Sequence, residues 1–298
     1  MPEVARAGRA CVRDFVGSGP PVLFVPSLIN PPDVLDLDAE RSLLRWLATQ
    51  GLHPLLVDWG APDPRERALD IAGHVETLLV PLLDALGPTP ALVGYCLGGT
   101  MALAAATLRP PPALAAIATP WRFAGYPNAD RAALAELWRQ AAPTVDAIGL
   151  MPMDILQTAF WRLDPRRTIA KYAALGEDAA EPDPAALARF VRLEDWANDG
   201  PPLTRAAACE LLLAFYRDDV PGGGGWRVSG RAIDPAALAM PMLDIASTTD
   251  RIVPHASAAR TGTRIDLALG HVGMIVGGRA RAHLWEPLAR WLSRTLGS

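Results

Sequence analysis

The residues Gly94-Tyr95-Cys96-Leu97-Gly98-Gly99 constrain this chain more than any other segment. They follow the apolar run Ala91-Leu92-Val93 and lead into Thr100 to Leu108, a stretch of alanine and leucine with strong helix preference. A strand that turns into a helix within so few residues needs small side chains where the two backbones approach, and Gly94 and Gly98 flank the turn for that purpose. The residue between them sits on a strained corner, with the positive end of the following helix pointed at it. This is the Gly-x-nucleophile-x-Gly elbow, with cysteine where serine is usual. That location beside a helix N-terminus favours a thiolate, the reactive form.

The rest of the chain supplies a sheet for that corner. Val22 to Pro26 and Leu55 to Trp59 are short apolar runs that read as buried parallel strands, with a helix between them from Arg41 to Gln50 that Gly51 stops. A second helix is expected from Arg67 to Leu86, carried across Pro81, and a further strand from Leu114 to Thr119 follows the prolines at 110 to 112. Strand signals return at Met242 to Ala246 and Thr263 to Leu267, and a helix from Trp285 to Leu296 closes the chain. Between 123 and 240 the sequence is helical, rich in Ala, Trp and Arg, without strand alternation; Gly222 to Gly225 reads as a flexible loop. The expectation is a single α/β domain of the α/β-hydrolase fold, doubly wound with a mostly parallel sheet. Its core spans 1–122 and 241–298, with an inserted helical cap at 123–240.

At 298 residues, half of them apolar, the chain can bury one large core. A net charge of -4 with scattered basic residues excludes a nucleic-acid partner. No run approaches the roughly 18 apolar residues of a membrane span, and the start MPEVARAGRACVRDF lacks a signal-peptide core, so a cytoplasmic protein is expected. Cys11, Cys96 and Cys209 are too far apart in sequence for a paired metal motif, and no disulfide framework is expected. No metal or cofactor is expected.

An elbow nucleophile needs an acid and a histidine, in that chain order, each just beyond a strand. Asp250 follows the strand Met242 to Ala246, and His271 follows Thr263 to Leu267. Asp250 could instead be a turn or capping residue. His53, His74 and His283 read as surface or core residues, His255 is a nearer competitor for the base, and Cys11 and Cys209, lacking an elbow, read as structural.

With these positions assigned, the chain resembles the polyhydroxyalkanoate synthases, most closely the short type that works with a second subunit. The likeness runs from Pro26-Ser27-Leu28-Ile29-Asn30 and Val34-Leu35-Asp36-Leu37 through Arg41-Ser42-Leu43, Leu56-Val57-Asp58-Trp59-Gly60 and the cysteine turn. It continues with Leu193-Glu194-Asp195-Trp196-Ala197-Asn198-Asp199 in the cap, then Asp250-Arg251-Ile252-Val253-Pro254 and Gly270-His271-Val272-Gly273. The resemblance implies that Cys96 attacks a 3-hydroxyacyl-CoA thioester, releases CoA and carries the polyester as an acyl-enzyme. It implies that His271 is the base and that Asp250 supports activation of the incoming 3-hydroxyl. Backbone N–H groups of Leu97 and Ile29 would form the oxyanion hole. It also implies a homodimer or a second synthase subunit, and a place at polyester granules. An apolar cap carrying Trp121, Phe123, Trp161, Phe190 and Trp196 is expected to keep water out.

Two departures accompany the likeness. Arg251 stands where the family commonly has histidine, and the first strand is expected only near Val22, so that an N-terminal partner surface would be missing. Both bear on polymerisation more than on cysteine chemistry. The alternatives are a hydrolase of the same fold, a thioesterase, esterase or polyester depolymerase, and a non-catalytic scaffold or binding subunit.

Overall fold

The computed structural model describes residues 1–163 and 184–297. Eight strands form one sheet: β1 (Glu3–Ala7), β2 (Ala10–Asp14), β3 (Pro21–Val25), β4 (His53–Asp58), β5 (Ala91–Tyr95), β6 (Leu114–Ile117), β7 (Met242–Ser247) and β8 (Thr263–Leu267). Their order across the sheet is β1-β2-β4-β3-β5-β6-β7-β8, parallel from β4 to β8 and antiparallel at the β1 and β2 edge. The central strands are buried on both faces, which is why they read as unbroken apolar runs rather than alternating ones.

The N-terminal hairpin is not what the sequence suggests. Two strands precede Val22, turned at Gly8, whose φ is +56°, with Ala7 opposite Ala10 and Val12 pairing with Val57 of β4. Their inward residues are mostly alanine, Ala5, Ala7 and Ala10, too weakly apolar to mark a strand in sequence.

The expected helix from Arg67 to Leu86 is also revised. It begins at Ile71, where the Asp70 carboxylate caps the N–H of Gly73 at 2.6 Å, and widens into a π turn over Val75–Leu79 before resuming at Val80–Ala85. Pro81 lacks an N–H to donate back, and the widened turn absorbs the missing bond.

The inserted region contains helices Asn128–Ile148, Met153–Leu163 and Pro184–Asn198, and a shorter one at Arg205–Cys209. It also holds two short ladders, Leu150–Met151 with Leu203–Thr204 and Arg227–Val228 with Arg231–Ala232; two residues per strand are too few for alternation to show. The glycine run at 222 to 225 forms an exposed turn closed by local hydrogen bonds. The N–H groups of Gly222 and Gly223 donate to Asp219, and that of Gly225 to Val220. Glu210 ties this region to the core, accepting from the Ile71 N–H at 2.6 Å and the Trp226 indole at 2.9 Å. Among the described residues no helix is long and apolar enough to cross a membrane.

Register decides where chemistry can occur. Val25 pairs with Gly94, Tyr95 with Ile117, and Ser247 with Leu267, so the carboxyl ends of β3, β5, β6, β7 and β8 lie in line. The loops leaving those ends carry Ser27, Cys96, Asp250 and His271 to one edge of the sheet, as parallel α/β sheets do with their sites.

Candidate active site

Cys96 has φ 56° and ψ -133°, a conformation that costs a side-chain-bearing residue free energy and persists only where packing enforces it. The enforcement is visible. Its N–H donates to Ile117 O at 3.0 Å, and its carbonyl accepts from the Gly99 N–H at 2.9 Å. A β-carbon on Gly98 would lie 2.1 Å from the Val25 carbonyl oxygen, and one on Gly94 2.3 Å from the Gly99 α-carbon. Only glycine allows the helix Leu97–Leu108 to start this close to β3 and β5. Cys96 is half-buried, and the Leu97 N–H lies in the first helical turn, where intrahelical acceptors are lacking.

His271 and Asp250 meet beside it. The imidazole Nδ1 is 2.7 Å from Asp250 Oδ2, and both side chains are almost wholly enclosed. Asp250 Oδ1 accepts the N–H groups of Ile252 and Val253 at 2.8 and 3.0 Å, so the turn-capping role and the His271 contact are performed by one carboxylate. Burial pushes the imidazole pKa down, but the charge and hydrogen bonds of Asp250 and Cys96 prevail and raise it to about 10. The ring rests against Tyr95 at 5.0 Å between centroids, and the Tyr95 hydroxyl donates to the His271 carbonyl at 3.3 Å. Ser247 fixes the approach to His271 by donating to Leu269 O and accepting from Leu269 N–H.

A cavity of about 150 Å³ opens onto these groups, lined by Ser27, Ile29, Tyr95, Cys96, Trp196 and His271 among others. Trp196 spans from the inserted region to the loop after β3, its indole donating to Pro31 O at 2.8 Å, and Asn30 Nδ2 donates to Ala197 O at 3.3 Å. Of the other aromatic residues expected over the elbow, Trp121 and Phe123 pack with Trp226, Phe215 and Tyr216 away from the cavity lining. Phe190 is half-buried and outside that lining, and the Trp161 side chain lies outside the described residues. Arg251 is exposed, and its neighbour Ile252 faces the cavity.

The Ile29 N–H is engaged: it donates to Ser27 Oγ at 3.1 Å. Ser27 and Tyr95 were not singled out as site residues by sequence. The only signal was adjacency, Tyr95 beside the nucleophile and Ser27 at the end of a strand that points at it. His255 pairs with Asp266, His53 with Asp14, and His283 is exposed. Cys11 and Cys209 are free thiols whose pKa values burial raises, which holds them in the inert form. Among the described residues no cluster of three or more His, Cys, Asp or Glu is placed to hold a metal ion.

No protein-family model matches the chain. It is 30% identical over 294 residues to the poly(3-hydroxyalkanoate) polymerase subunit PhaC of Synechocystis sp., covering 92% of this chain and 77% of that one. It is 29% identical over 292 residues to the subunit of the same name from Thiocystis violacea, covering 92% and 80%. Against the Haloferax mediterranei subunit it is 28% identical and spans 58% of that longer chain. Among solved structures it is similar to an α/β-hydrolase fold protein of Nakamurella multipartita, with a TM-score of 0.52, 20% identity and coverage of 99% and 98%. It also matches a monoacylglycerol lipase of Paleococcus ferrophilus, with a TM-score of 0.59, 15% identity and coverage of 97% and 100%. These structural likenesses establish the α/β-hydrolase fold.

Proposed function

The chain belongs to the poly(3-hydroxyalkanoate) polymerase family, and on that premise we propose that it polymerises 3-hydroxyacyl-CoA through an acyl thioester on Cys96. The observation that carries the mechanism is the His271 imidazole, 2.7 Å from Asp250 and opening onto the same cavity as Cys96, which sits on a strained corner.

In the first half-reaction His271 takes the proton of Cys96 and the sulfur attacks the thioester carbonyl. The oxyanion is held by the Leu97 N–H and by the turn at Ser27 and Ile29. Collapse expels CoA, which takes the proton back from His271. In the second, the 3-hydroxyl of another unit gives its proton to the His271–Asp250 pair and attacks the acyl-cysteine carbonyl; the carbon–sulfur bond breaks, an ester is left, and the Cys96 sulfur leaves and recovers the proton from His271. A thiol exchanges with a thioester at little cost, and the acyl group it receives stays activated for an alcohol. CoA enters as part of the substrate and leaves as a thiol, so side chains complete the chemistry.

Trp196 and the apolar wall around it favour the alcohol over water by limiting access to the acyl-cysteine. We place the enzyme in the cytoplasm at the surface of its polyester, with a second copy or a second synthase subunit as partner, in keeping with the relatives' designation as subunits.

Incubation with 3-hydroxybutyryl-CoA tests the reading. Expected are free CoA and insoluble polyester, both abolished in Cys96→Ala. Free 3-hydroxybutyrate without polymer would replace the synthase by a thioesterase, and undiminished CoA release from the variant would remove Cys96 from the mechanism.

A further inference from the structure

We propose that the Ser27 hydroxyl is the second oxyanion donor of this site, with the Ile29 N–H acting behind it rather than on the substrate. The inference deepens the acyl-transfer reading above and rests on it.

Ser27 follows Pro26 at the carboxyl end of β3, is 8% exposed, and faces the same cavity as Cys96 and His271. Its Oγ accepts the Ile29 N–H at 3.1 Å, a local bond to the backbone two residues on. A hydroxyl has one proton and two lone pairs. The Ile29 N–H fills one lone pair and restrains the rotor, while among the described residues no acceptor takes the Ser27 proton. The N–H that the Gly-x-Cys-x-Gly architecture would otherwise direct at an oxyanion is therefore already engaged, and an unengaged O–H stands at the cavity wall in its place. Polarisation by Ile29 strengthens that O–H as a donor.

The opposite donor, the Leu97 N–H, starts from the end of β5. Since β5 lies next to β3 with Gly94 paired to Val25, the two donors start from adjacent strand ends. When Cys96 sulfur bonds to the carbonyl carbon, the C=O π pair moves to oxygen. Ser27 keeps its proton and donates a hydrogen bond to that oxygen. The pair then returns, the carbon–sulfur bond to CoA breaks, and the departing thiolate takes the His271 proton.

The test compares two reactions of Cys96 in the full chain. Acylation by p-nitrophenyl acetate, read as the burst of nitrophenolate, passes through an oxyanion; alkylation by iodoacetamide does not. Ser27→Ala is expected to slow acylation by about 100-fold, the usual loss for one oxyanion donor, with alkylation unchanged. Ser27→Thr, which keeps the hydroxyl, restores acylation. Acylation of Ser27→Ala at the wild-type rate or faster would overturn the proposal, because the freed Ile29 N–H would then be the donor. Equal slowing of both reactions would also overturn it, by reducing Ser27 to a prop for the loop. Neither reaction depends on where the acyl group goes next. A wrong synthase reading therefore shows in the products from 3-hydroxybutyryl-CoA, and a wrong role for Ser27 shows in this ratio of rates.

Discussion

Two buried histidines of this molecule, His271 and His74, are 7% and 2% exposed, and their environments drive them in opposite directions. His271 faces a carboxylate and a thiol and is raised to about 10. His74 is lowered to about 4, chiefly by burial, with the Arg9 charge adding to the effect and the Asp70 carbonyl opposing it. Its Nδ1 lies 2.6 Å from Asp70 O, and its Nε2 2.7 Å from the Arg9 guanidinium, which has no acceptor capacity, so Nε2 accepts and the ring is fixed as a neutral tautomer. Arg9 is in turn paired with Glu66. Both rings are locked by two partners, yet one is arranged to carry a proton and the other to refuse one. Burial alone does not tell the two rings apart; the charge of their partners does.

The largest expected effect separates the two in activity. His271→Gln removes the base and is expected to lower kcat/KM for CoA release by roughly 10³-fold, within the usual range for general acid–base catalysis. His74→Gln, which keeps an acceptor for Arg9, leaves the turnover number of the folded protein unchanged. Steady-state kinetics on both variants decides it, and a comparable loss in His74→Gln would break the contrast.

That contrast also marks what the sequence could reveal. Cys96, Asp250 and His271 lie in local signatures: two glycines around a turn, and polar residues just past apolar strands. Such signals survive without three-dimensional information because the chain itself must make the corner. The central strands were legible for a similar reason, since double burial leaves continuous apolar runs, and the span Thr263 to Leu267 matches the observed strand. His74 was illegible because its environment is set by Arg9, 65 residues away, on a hairpin whose small alanines gave no strand signal. Ser27 and Tyr95 were missed on the same ground: their importance follows from the register of β3 and β5 beside β6, not from their own neighbours in sequence.

The next effect is in stability against pH, with opposite signs for the two rings. His74 has a folded-state pKa of about 4 against 6.5 for the free side chain, so between those values the unfolded chain binds the proton first. Stability therefore falls as pH drops from about 6.5 to about 4, by up to about 3 kcal/mol from this residue. His271 is raised, so its contribution is complete below about 6.5 and is lost as pH rises through about 10. Urea midpoints measured across the pH range are expected to lose their acid-side slope in His74→Gln and part of their alkaline-side slope in His271→Gln. An acid limb unaltered in His74→Gln would show that other groups govern it.

The smallest effect concerns a third histidine, which tests whether contact distance or enclosure matters. His255 Nε2 lies 2.8 Å from Asp266 Oδ1, nearly the separation of His271 from Asp250, but Asp266 is 49% exposed where Asp250 is fully covered. The same ring nitrogen is also 2.8 Å from the Arg264 guanidinium, and one nitrogen cannot donate to the carboxylate and accept from the guanidinium at once. Arg264 Nε reaches Asp266 directly at 3.0 Å, so the carboxylate keeps a cationic partner when the histidine is removed. Exposed pairs of this kind contribute at most about 1 kcal/mol because water screens them and competes for their hydrogen bonds. His255→Asn is accordingly expected to shift the urea midpoint little and to leave CoA release intact. If it instead matched His271→Gln, a histidine–carboxylate distance near 2.7 Å would suffice for function wherever it occurred, and enclosure beside Cys96 would lose its explanatory role.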